Sequence, residues 1–450
     1  MNAYVIGLGR SGIAAARLLK QQGWEVVISD RGTSPELENH QRSLSEEGIT
    51  VILEDTPSLD VLKTVDVVIV SPGVPWDVPI LVRARENKIP MYGEIELAWR
   101  TLQETPWLGI TGTNGKTTTT ALCEALFQGA GLNAPACGNI GKAACELGLK
   151  TERLDWIIAE ISSYQIESSQ KLAPEIGIWT TFSPDHLERH YTLENYFQIK
   201  KSLLDRSQLK IINGDDPYLR SLGEINWSQV HWTSIKGKSQ LLGKPSAGIY
   251  IEDEEIIAFG EKVLSVKHFP MVGEHNLQNL LLAVGAARLA GVEKSSIEQS
   301  LINFKGVPHR LEPVCEINGI PFINDSKATN YEAAWVGLSS VSSPVILIAG
   351  GQGKTGNDQN WLQLIKEKAS WVLLIGEAAP KFAQRLKEIG FQSYKIVETM
   401  ENAVTASIEA TKKQEAKTVL LSPACASFDQ YDNFEQRGDH FRELCLRETA

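Results

Sequence analysis

The segment Thr111 to Thr118 combines glycines, hydroxyl side chains and one lysine in a short stretch, reading Thr-Gly-Thr-Asn-Gly-Lys-Thr-Thr. It lies between an apolar run typical of a buried strand and a helical pattern that begins near Lys116. A loop in that position can wrap the phosphates of ATP with backbone amides, while Lys116 neutralises charge and the Thr117 hydroxyl reaches Mg²⁺. The segment therefore predicts an ATP site with contacts from Gly112, Thr113, Asn114, Gly115, Lys116, Thr117 and Thr118.

This loop departs from the strict pattern Gly-x-x-x-x-Gly-Lys-Ser/Thr, because Ile110 stands where the first glycine belongs. Either Gly109 or Gly112 must serve instead. The alternative interpretation is a tight turn with an incidental lysine. The strand and helix patterns on either side favour the phosphate loop.

Two further residues could bind a metal. Glu160 directly follows the strand-like run Trp156–Ala159, and His186 lies just past the next such run. The carboxyl ends of strands in α/β sheets are where ligands bind, so both side chains are candidates for an oxygen-and-nitrogen magnesium site. A lone histidine is also often a hydrogen-bonded structural residue.

A second glycine loop, Gly7-Leu8-Gly9-Arg10-Ser11-Gly12, follows a strand-like run at the N-terminus and opens a helix. Its amides could hold a pyrophosphate, and Asp30 ends the next strand, where it could meet a ribose. NAD is the obvious ligand, which makes an NAD-dependent oxidoreductase one hypothesis. Any nucleoside diphosphate presents the same pyrophosphate, however, and no later segment resembles a hydride-transfer site.

The elements that must position these loops follow an α/β pattern, with short apolar β-branched runs alternating with amphipathic helices. We predict a small N-terminal Rossmann-like domain, a central P-loop ATPase-like sheet with antiparallel strands near residues 235–270, and a C-terminal Rossmann-like domain. The predicted borders are 1–98, 99–305 and 306–450.

Composition excludes several classes of protein. The 450 residues carry 44 basic and 55 acidic side chains, a net charge of −11, without a basic stripe for nucleic acid. Six dispersed cysteines without CxxC spacing fit a reducing compartment, and we expect the cytoplasm. No apolar run reaches transmembrane length and no targeting pattern precedes Ala3, so we expect no membrane partner.

Several ordered blocks along nearly the whole chain closely resemble the Mur ligases. These blocks are Thr111–Thr118, Gly138–Gly141, Glu160–Gln165, Asp185-His186, Gly273–Asn279, Pro308–Glu312 and Asn324–Asn330. The resemblance implies a ligase that uses ATP and Mg²⁺ to activate a carboxylate as an acyl phosphate and then joins it to an amino acid. The small-molecule substrate would be UDP-linked, and the enzyme is expected to be a monomer.

The resemblance also assigns residues to ligands. The positions that would bind the UDP-linked substrate are Arg10, Ser11, Asp30, Arg31, Gly73, Asn139 and Gln165. Further nucleotide contacts would be Asn279, Arg310 and Asp325. The metal would be held through Thr117, Glu160, His186 and Lys200, and the expected catalytic residues are Lys116, Glu160, His186 and Lys200.

Lys200 matches a family lysine that is carbamylated by CO₂, which converts a cation into a carboxylate-like ligand. Its neighbour Lys201 makes the assignment ambiguous. Without the resemblance, a solvated helix face would be the favoured interpretation of both lysines.

Two C-terminal blocks, Asp325–Asn330 and Ser422–Gln430, resemble the branch of the family that adds D-glutamate to UDP-N-acetylmuramoyl-L-alanine. The expected D-glutamate contacts are Lys327, Thr329, Lys354, Ser427, Phe428 and Phe434. Ammonium groups and hydroxyls suit a dicarboxylate. The alternatives are another acceptor such as L-glutamate, a folylpolyglutamate synthase relative, which the UDP-type N-terminal domain argues against, and a non-catalytic nucleotide-binding regulator.

Overall fold

The structure, a computed structural model, describes residues 1–226, 230–271, 273–353, 356–413 and 415–448. The chain forms two units. The first comprises Met1–Pro270 and Glu274–Phe304, and the second comprises Met271–Gly273 and Lys305–Ala450.

The fully described N-terminal part of the first unit forms a five-stranded parallel sheet in the order β3-β2-β1-β4-β5. Its strands are β1 Asn2–Ile6, β2 Glu25–Ser29, β3 Thr50–Ile52, β4 Val67–Val70 and β5 Met91–Gly93. Its helices are α1 Arg10–Gln21, α2 Pro35–Glu46, α3 Leu59–Leu62, α4 Pro79–Glu86 and α5 Glu94–Thr101. All four residues of β4 are buried, as expected for a strand covered on both faces.

Among the described residues of the first unit, a second sheet has nine strands in the order β14-β13-β12-β11-β10-β9-β6-β8-β7. They are β6 Trp107–Thr111, β7 Ala136–Gly138, β8 Ile157–Glu160, β9 Ile176–Trp179, β10 Leu209–Asn213, β11 Val230–Ser234, β12 Ile249–Glu252, β13 Glu255–Ala258 and β14 Glu261–Ser265. The helices are α6 Lys116–Gly129, α7 Ala144–Gly148, α8 Ser163–Glu167, α9 Leu187–His190, α10 Leu193–Arg206, α11 Pro217–Asn226, α12 Glu274–Leu289 and α13 Lys294–Ile302. Short 3₁₀ turns occupy Lys238–Gln240, Pro245–Ala247 and Val266–His268.

The described part of the second unit contains a six-stranded sheet in the order β15-β16-β20-β17-β18-β19, antiparallel only between β15 and β16. Its strands are β15 Glu312–Ile317, β16 Ile320–Asn324, β17 Val345–Gly350, β18 Ala369–Ile375, β19 Tyr394–Glu398 and β20 Thr418–Leu421. Its helices are α14 Tyr331–Ser339, α15 Gln359–Lys368, α16 Ala379–Glu388, α17 Met400–Lys412 and α18 Phe434–Arg447.

The α/β class is confirmed, and so are the antiparallel strands expected near residues 235–270, since β12, β13 and β14 pair antiparallel. One local prediction is corrected. Glu160 does not follow its strand but ends β8, where it is the register partner of Ile110 on β6. No helix in the described ranges is long and apolar enough to cross a membrane.

Candidate active site

The loop between β6 and α6 depends on two glycines. Gly112 has φ 151°, and a Cβ there would lie 1.9 Å from Thr180 Oγ1. Gly115 has φ 84°, and its Cβ would lie 2.5 Å from Asn279 Oδ1. Both positions therefore need glycine, for conformation and for space. Ile110 occupies the position of the first glycine in the strict pattern, and Gly112 supplies the conformational freedom instead.

The segment that follows β9 holds this loop through hydrogen bonds. The Asn114 amide donates to Thr181 Oγ1 at 2.9 Å, and the Thr113 hydroxyl donates to the Ser183 carbonyl at 3.1 Å. On the other side, Thr119 Oγ1 donates to Asn279 Oδ1 at 3.2 Å. Asn279, a predicted nucleotide contact on α12, thus lies against the start of α6.

Lys116 is the first residue of α6, and its ammonium donates to the carbonyls of Gly112 and Thr113, both at 2.8 Å. The amides of this helix end and its dipole favour an anion at the same place. Thr117 and Thr118 follow in the first turn and are buried. The predicted ATP contacts from 112 to 118 therefore lie together.

Glu160 lies beside this loop with its side chain almost fully buried, at 1% exposure. Its Oε1 accepts a hydrogen bond from Asn139 Nδ2 at 2.8 Å, whereas Oε2 is buried and has no hydrogen-bond partner among the described residues. A buried carboxylate oxygen without a donor is costly in a native protein unless a ligand satisfies it. The two predicted residues Asn139 and Glu160 are thus in direct contact.

The two histidines of this region differ. His186 Nδ1 lies 3.0 Å from the Tyr164 hydroxyl, its Nε2 lies 3.4 Å from Asp185 Oδ2, and its side chain is 43% exposed. His190 is buried, and its Nε2 lies 2.9 Å from Ser163 Oγ. Burial lowers the pKa of His190 to about 4, so its ring is neutral at pH 7. His186 is the histidine that a ligand can reach.

Lys200 points into the protein from α10 and is 1% exposed. Its Nζ donates to the Gly112 carbonyl at 2.9 Å and to Thr111 Oγ1 at 3.3 Å. Burial, and secondly the charge of Lys116, hold the pKa of Lys200 well below its ordinary value. Lys201 points outward and pairs with Asp205 at 2.7 Å. Of the two lysines, Lys200 is therefore the one at the phosphate loop.

The described residues contain no cluster of three His, Cys, Asp or Glu side chains able to hold a metal. The predicted set contains only Glu160 and His186 from those classes, together with the Thr117 hydroxyl and Lys200. The unpartnered Oε2 of Glu160 is suited to a cation. The donor set therefore fits Mg²⁺ if Lys200 carries a carboxylate-like group.

At the N-terminal sheet, a cavity of about 640 Å³ opens beside the glycine loop Gly7–Gly12 and is lined by the predicted residues Asp30, Arg31 and Gly73. Both carboxylate oxygens of Asp30 already accept backbone hydrogen bonds. Oδ2 accepts from the Leu8 amide and Oδ1 from the Gly32 amide, each at 2.8 Å. Asp30 therefore shapes the loop, which weakens its interpretation as the NAD ribose acceptor.

The remaining predicted substrate residues of the first unit lie on helices. Arg10 begins α1 and lines a second cavity of about 870 Å³, and Ser11 follows it. Gln165 is 3% exposed, and its Oε1 accepts from the Ser162 amide at 2.9 Å, which closes the capping box of α8. Gln165 thus stabilises the turn that follows Glu160.

In the second unit, β16, β20 and β17 are neighbours, so the loops after their carboxyl ends lie side by side. These loops begin at Asp325, Ser422 and Gly351. They carry the predicted D-glutamate residues except Phe434, which begins α18. Lys354 falls outside the described residues.

Asp325 is buried, and its carboxylate accepts from Ser422 Oγ at 2.8 Å and from the Leu311 amide at 3.3 Å. Burial raises the pKa of Asp325 to about 7, with Arg310 acting in the opposite direction. Arg310 and Asp325, both predicted nucleotide contacts, thus interact within the second unit.

Lys327 lies with its Nζ 4.9 Å from the centre of the Phe434 ring. The Thr329 amide donates to the Lys327 carbonyl at 2.9 Å. Ser427 is 2% exposed, while Phe428 is 67% exposed. The structure thus brings Lys327, Thr329 and Phe434 together.

Sequence reasoning missed three buried charged residues, namely Glu94 and Glu96 on α5 of the first unit and Arg437 on α18 of the second. Glu94 Oε1 accepts from the Cys145 amide at 2.6 Å, and Glu96 accepts from the amides of Gln170 and Lys171. A charged residue on a predicted helix is ordinarily exposed.

Comparison with known proteins gives the family. The model for the Mur ligase MurD-like N-terminal domain matches residues 1–93, that for the Mur ligase middle domain matches 110–287, and that for the Mur ligase glutamate ligase domain matches 309–425.

Relatives named UDP-N-acetylmuramoylalanine--D-glutamate ligase match over almost the whole chain. The protein from Rippkaea orientalis is 63% identical over 448 residues, covering 98% of both chains. The one from Microcystis aeruginosa is 62% identical over 445 residues, covering 99% of both.

Two solved structures share the fold. The UDP-N-acetylmuramate-alanine ligase of Thermotoga maritima has a TM-score of 0.61 at 18% identity, covering 100% of both chains. A pseudomurein peptide ligase type C from Methanothermus fervidus has a TM-score of 0.59 at 20% identity, covering 99% of both. Three consecutive family domains and relatives above 60% identity along the full length establish that this chain belongs to the Mur ligase family.

Proposed function

We propose that the chain is an ATP-dependent amide-forming ligase that joins D-glutamate to UDP-N-acetylmuramoyl-L-alanine in peptidoglycan precursor synthesis. The observation that carries this proposal is the convergence of the Lys116 loop, the Asn139–Glu160 pair and buried Lys200 at one edge of the second sheet. The names of the relatives above supply the substrates.

In the proposed first step, the alanyl carboxylate of the UDP-linked substrate attacks the ATP γ-phosphate. ADP leaves, and an acyl phosphate remains. The amides at the start of α6 and the Lys116 ammonium balance the phosphate charge. Lys116 now donates to the carbonyls of Gly112 and Thr113, and the phosphate oxygens of ATP would replace those acceptors.

In the second step, the amine of D-glutamate attacks the acyl phosphate carbonyl, and the tetrahedral intermediate expels phosphate to leave an amide. The enzyme needs no covalent nucleophile of its own, so positioning and charge stabilisation supply the rate. We assign D-glutamate binding to Lys327, Thr329, Lys354, Ser427, Phe428 and Phe434.

We infer that Mg²⁺ binds through Glu160, His186, Thr117 and carbamylated Lys200. The observation behind this assignment is the buried Glu160 Oε2 without a donor. A neutral amine attacks CO₂ to give a carbamate with loss of a proton, and the burial of Lys200 favours that neutral form. Bound Mg²⁺ would balance negative charge on the phosphate oxygens.

We place the UDP group of the substrate at the N-terminal sheet, with Arg10, Ser11, Asp30, Arg31 and Gly73 around it. We also assign Asn139, which follows β7, and Gln165, on α8, to the UDP-linked substrate. We assign nucleotide binding to Asn279 and Arg310, and a position near the ribose to Asp325. The domain borders 1–98, 99–305 and 306–450 remain our division of the chain.

We further infer a monomer in the cytoplasm that binds neither nucleic acid nor membrane. All six cysteines lie among the described residues and none forms a disulfide, which suits a reducing compartment. Light scattering of the purified chain tests the monomer, and a mass near twice 49.6 kDa would contradict it.

The test of the reaction is phosphate release from ATP with UDP-N-acetylmuramoyl-L-alanine and Mg²⁺, adding D-glutamate, L-glutamate or other amino acids one at a time. Release with D-glutamate alone supports the proposal. Release with a different acceptor would retain the mechanism and change the substrate. No release with any acceptor would overturn the proposal and favour a nucleotide-binding regulator.

A further inference from the structure

Arg437 lies on α18, one turn after Phe434, and its side chain is buried at 1% exposure. Its Nε donates to Ser326 Oγ at 3.0 Å and its Nη2 donates to the Ser326 carbonyl at 2.7 Å. The guanidinium thus holds the loop after β16 from two directions. This loop carries Lys327 and Thr329.

The same guanidinium also holds the loop after β20. Nη2 donates to the Cys425 carbonyl and Nη1 to the Ala426 carbonyl, both at 3.1 Å. Ser427 and Phe428 come directly after these two carbonyls. One side chain therefore connects both described loops that we assign to D-glutamate.

A third loop lies against the same group. A Cβ built on Gly351 would lie 3.0 Å from Arg437 Nη1 and 2.4 Å from the Ala426 carbonyl, so the backbone at Gly351 packs closely on this arginine. The Gln352 amide donates to the Ala426 carbonyl at 2.9 Å. Gly351 begins the loop that leads to Lys354.

Ser326 extends the connection back to α18. Its hydroxyl accepts from Arg437 Nε and donates to the Phe434 carbonyl at 2.8 Å. The positions of the Phe434 ring and of Lys327, whose Nζ lies 4.9 Å from that ring, are thereby linked to the same guanidinium.

We propose that Arg437 is the positioning residue of the D-glutamate site, fixing the loops after β16, β20 and β17 against the start of α18. This inference rests on the proposed assignment of D-glutamate to those loops. Arg437 does not contact the substrate in this role, because its nitrogens are used by Ser326, Cys425 and Ala426.

Lysine cannot replace this arginine. A guanidinium presents its donors in a planar fork, whereas an ammonium is a point charge that cannot meet four acceptors on two loops. Burial lowers the pKa of Arg437 to about 10, so it remains charged at neutral pH. Arg437→Lys therefore changes the geometry of the donors while it keeps the charge.

Asp325, the predicted nucleotide contact next to Ser326, is held by hydrogen bonds of its own. The Asp325 amide donates to the Leu421 carbonyl at 2.8 Å, and its carboxylate accepts from Ser422. These bonds extend the pairing of β16 with β20 and do not involve Arg437. Loss of the guanidinium should therefore affect D-glutamate more than ATP.

The experiment measures kcat and the separate KM values for D-glutamate, ATP and the UDP-linked substrate in Arg437→Lys, Arg437→Met and Ser326→Ala. The expected result is a rise of at least about tenfold in KM for D-glutamate in both Arg437 variants, with the other two KM values within about twofold. Ser326→Ala should shift the same KM in the same direction. Since KM does not depend on the fraction of active enzyme, partial unfolding cannot produce this pattern.

Arg447 provides matched controls on the same helix, because its side chain is 64% exposed and pairs with Glu443. Arg447→Lys and Arg447→Met should leave all three KM values unchanged. An unchanged KM for D-glutamate in the Arg437 variants, or an equal rise in all three KM values, would overturn the proposal. Lys327→Met tests the underlying assignment separately: an unchanged KM for D-glutamate in that variant would reject the location of the site itself.

Discussion

The Lys200 ammonium nitrogen lies 2.9 Å from the Gly112 carbonyl, so a buried amine on α10 contacts the phosphate loop directly. We expect Lys200→Ala to lose most activity, because both a charge and a proposed metal ligand disappear. Removal of CO₂ and bicarbonate from the wild-type assay should lower the rate, and readdition should restore it. Phosphate release measures both effects.

Lys201→Ala is the matched control, since Lys201 is paired with Asp205 at the surface and should keep nearly full activity. Full activity in Lys200→Ala, or a wild-type rate insensitive to CO₂, would refute carbamylation.

Glu160→Gln should lower kcat by roughly 100-fold and shift the Mg²⁺ activation curve to higher concentration. The substitution preserves the acceptor for Asn139 but removes the charge on the buried oxygen without a donor. A titration of activity against Mg²⁺ measures the shift. Glu152→Gln, at an exposed position, serves as the control. An unchanged curve would show that Glu160 does not act on the metal.

Gly115→Ala should raise KM for ATP by at least about tenfold, because the added methyl group would displace Asn279 from the start of α6. Gly131 has φ 82°, close to the 84° of Gly115, but a Cβ there meets nothing within 4 Å. Gly131→Ala therefore introduces the same backbone strain without the contact. Equal effects of both variants on KM for ATP would contradict this explanation.

Glu96→Ala should lower the free energy of unfolding by about 3 kcal/mol, since it leaves the Gln170 and Lys171 amides without their acceptor. Arg100, which donates to Glu96 at 2.6 Å, would lose its partner as well. The urea midpoint of unfolding gives the measurement. Glu104→Ala, exposed just past α5, should have no effect, and a midpoint equally unchanged in Glu96→Ala would reject the predicted role.

Glu94 makes stability depend on pH. Burial raises the pKa of Glu94 from 4.5 to about 7, so the folded protein retains a proton that the unfolded chain releases near pH 4.5. This contribution is complete below pH 4.5 and is lost as the pH rises through about 7. Glu94→Gln cannot ionise, so it should become more stable than wild type above pH 7, on the order of 2 kcal/mol.

Urea midpoints of both proteins between pH 5 and 8 test this prediction. The urea midpoints of wild type and Glu94→Gln should converge towards pH 5 and separate towards pH 8. Parallel curves over the whole range would count against a protonated Glu94.

Continuous apolar runs such as Val67–Val70 are predictable as strands because strands of this kind are buried on both faces. The sequence did not predict β11, β15 and β19, whose residues are mixed in polarity. It missed β3, β5 and β7, each with three residues, because so short a segment has no measurable periodicity. The phosphate loop was predictable because its glycines, lysine and hydroxyls are adjacent in the chain. Glu160 and His186 were candidates because each follows a strand-like run, whereas Lys200 depended on the family resemblance.

Arg437, Glu94 and Glu96 were not predictable for a different reason. Each is a charged helical residue whose partners are backbone groups of distant segments, and backbone groups leave no trace in the sequence. Only the folded arrangement shows that these side chains are buried.

The position of α5 also determines where domains of two relatives should be joined in a chimaera. The family matches end at residue 93 and resume at residue 110, so α5 falls between the N-terminal and middle domains. Its carboxylates nevertheless bind the amides of Cys145 and Lys171, which belong to the middle domain. A chimaera in which α5 comes from the same parent as the middle domain would therefore retain these two contacts. The junction that keeps these contacts within one parent lies before Glu94, at the start of α5 rather than after its end.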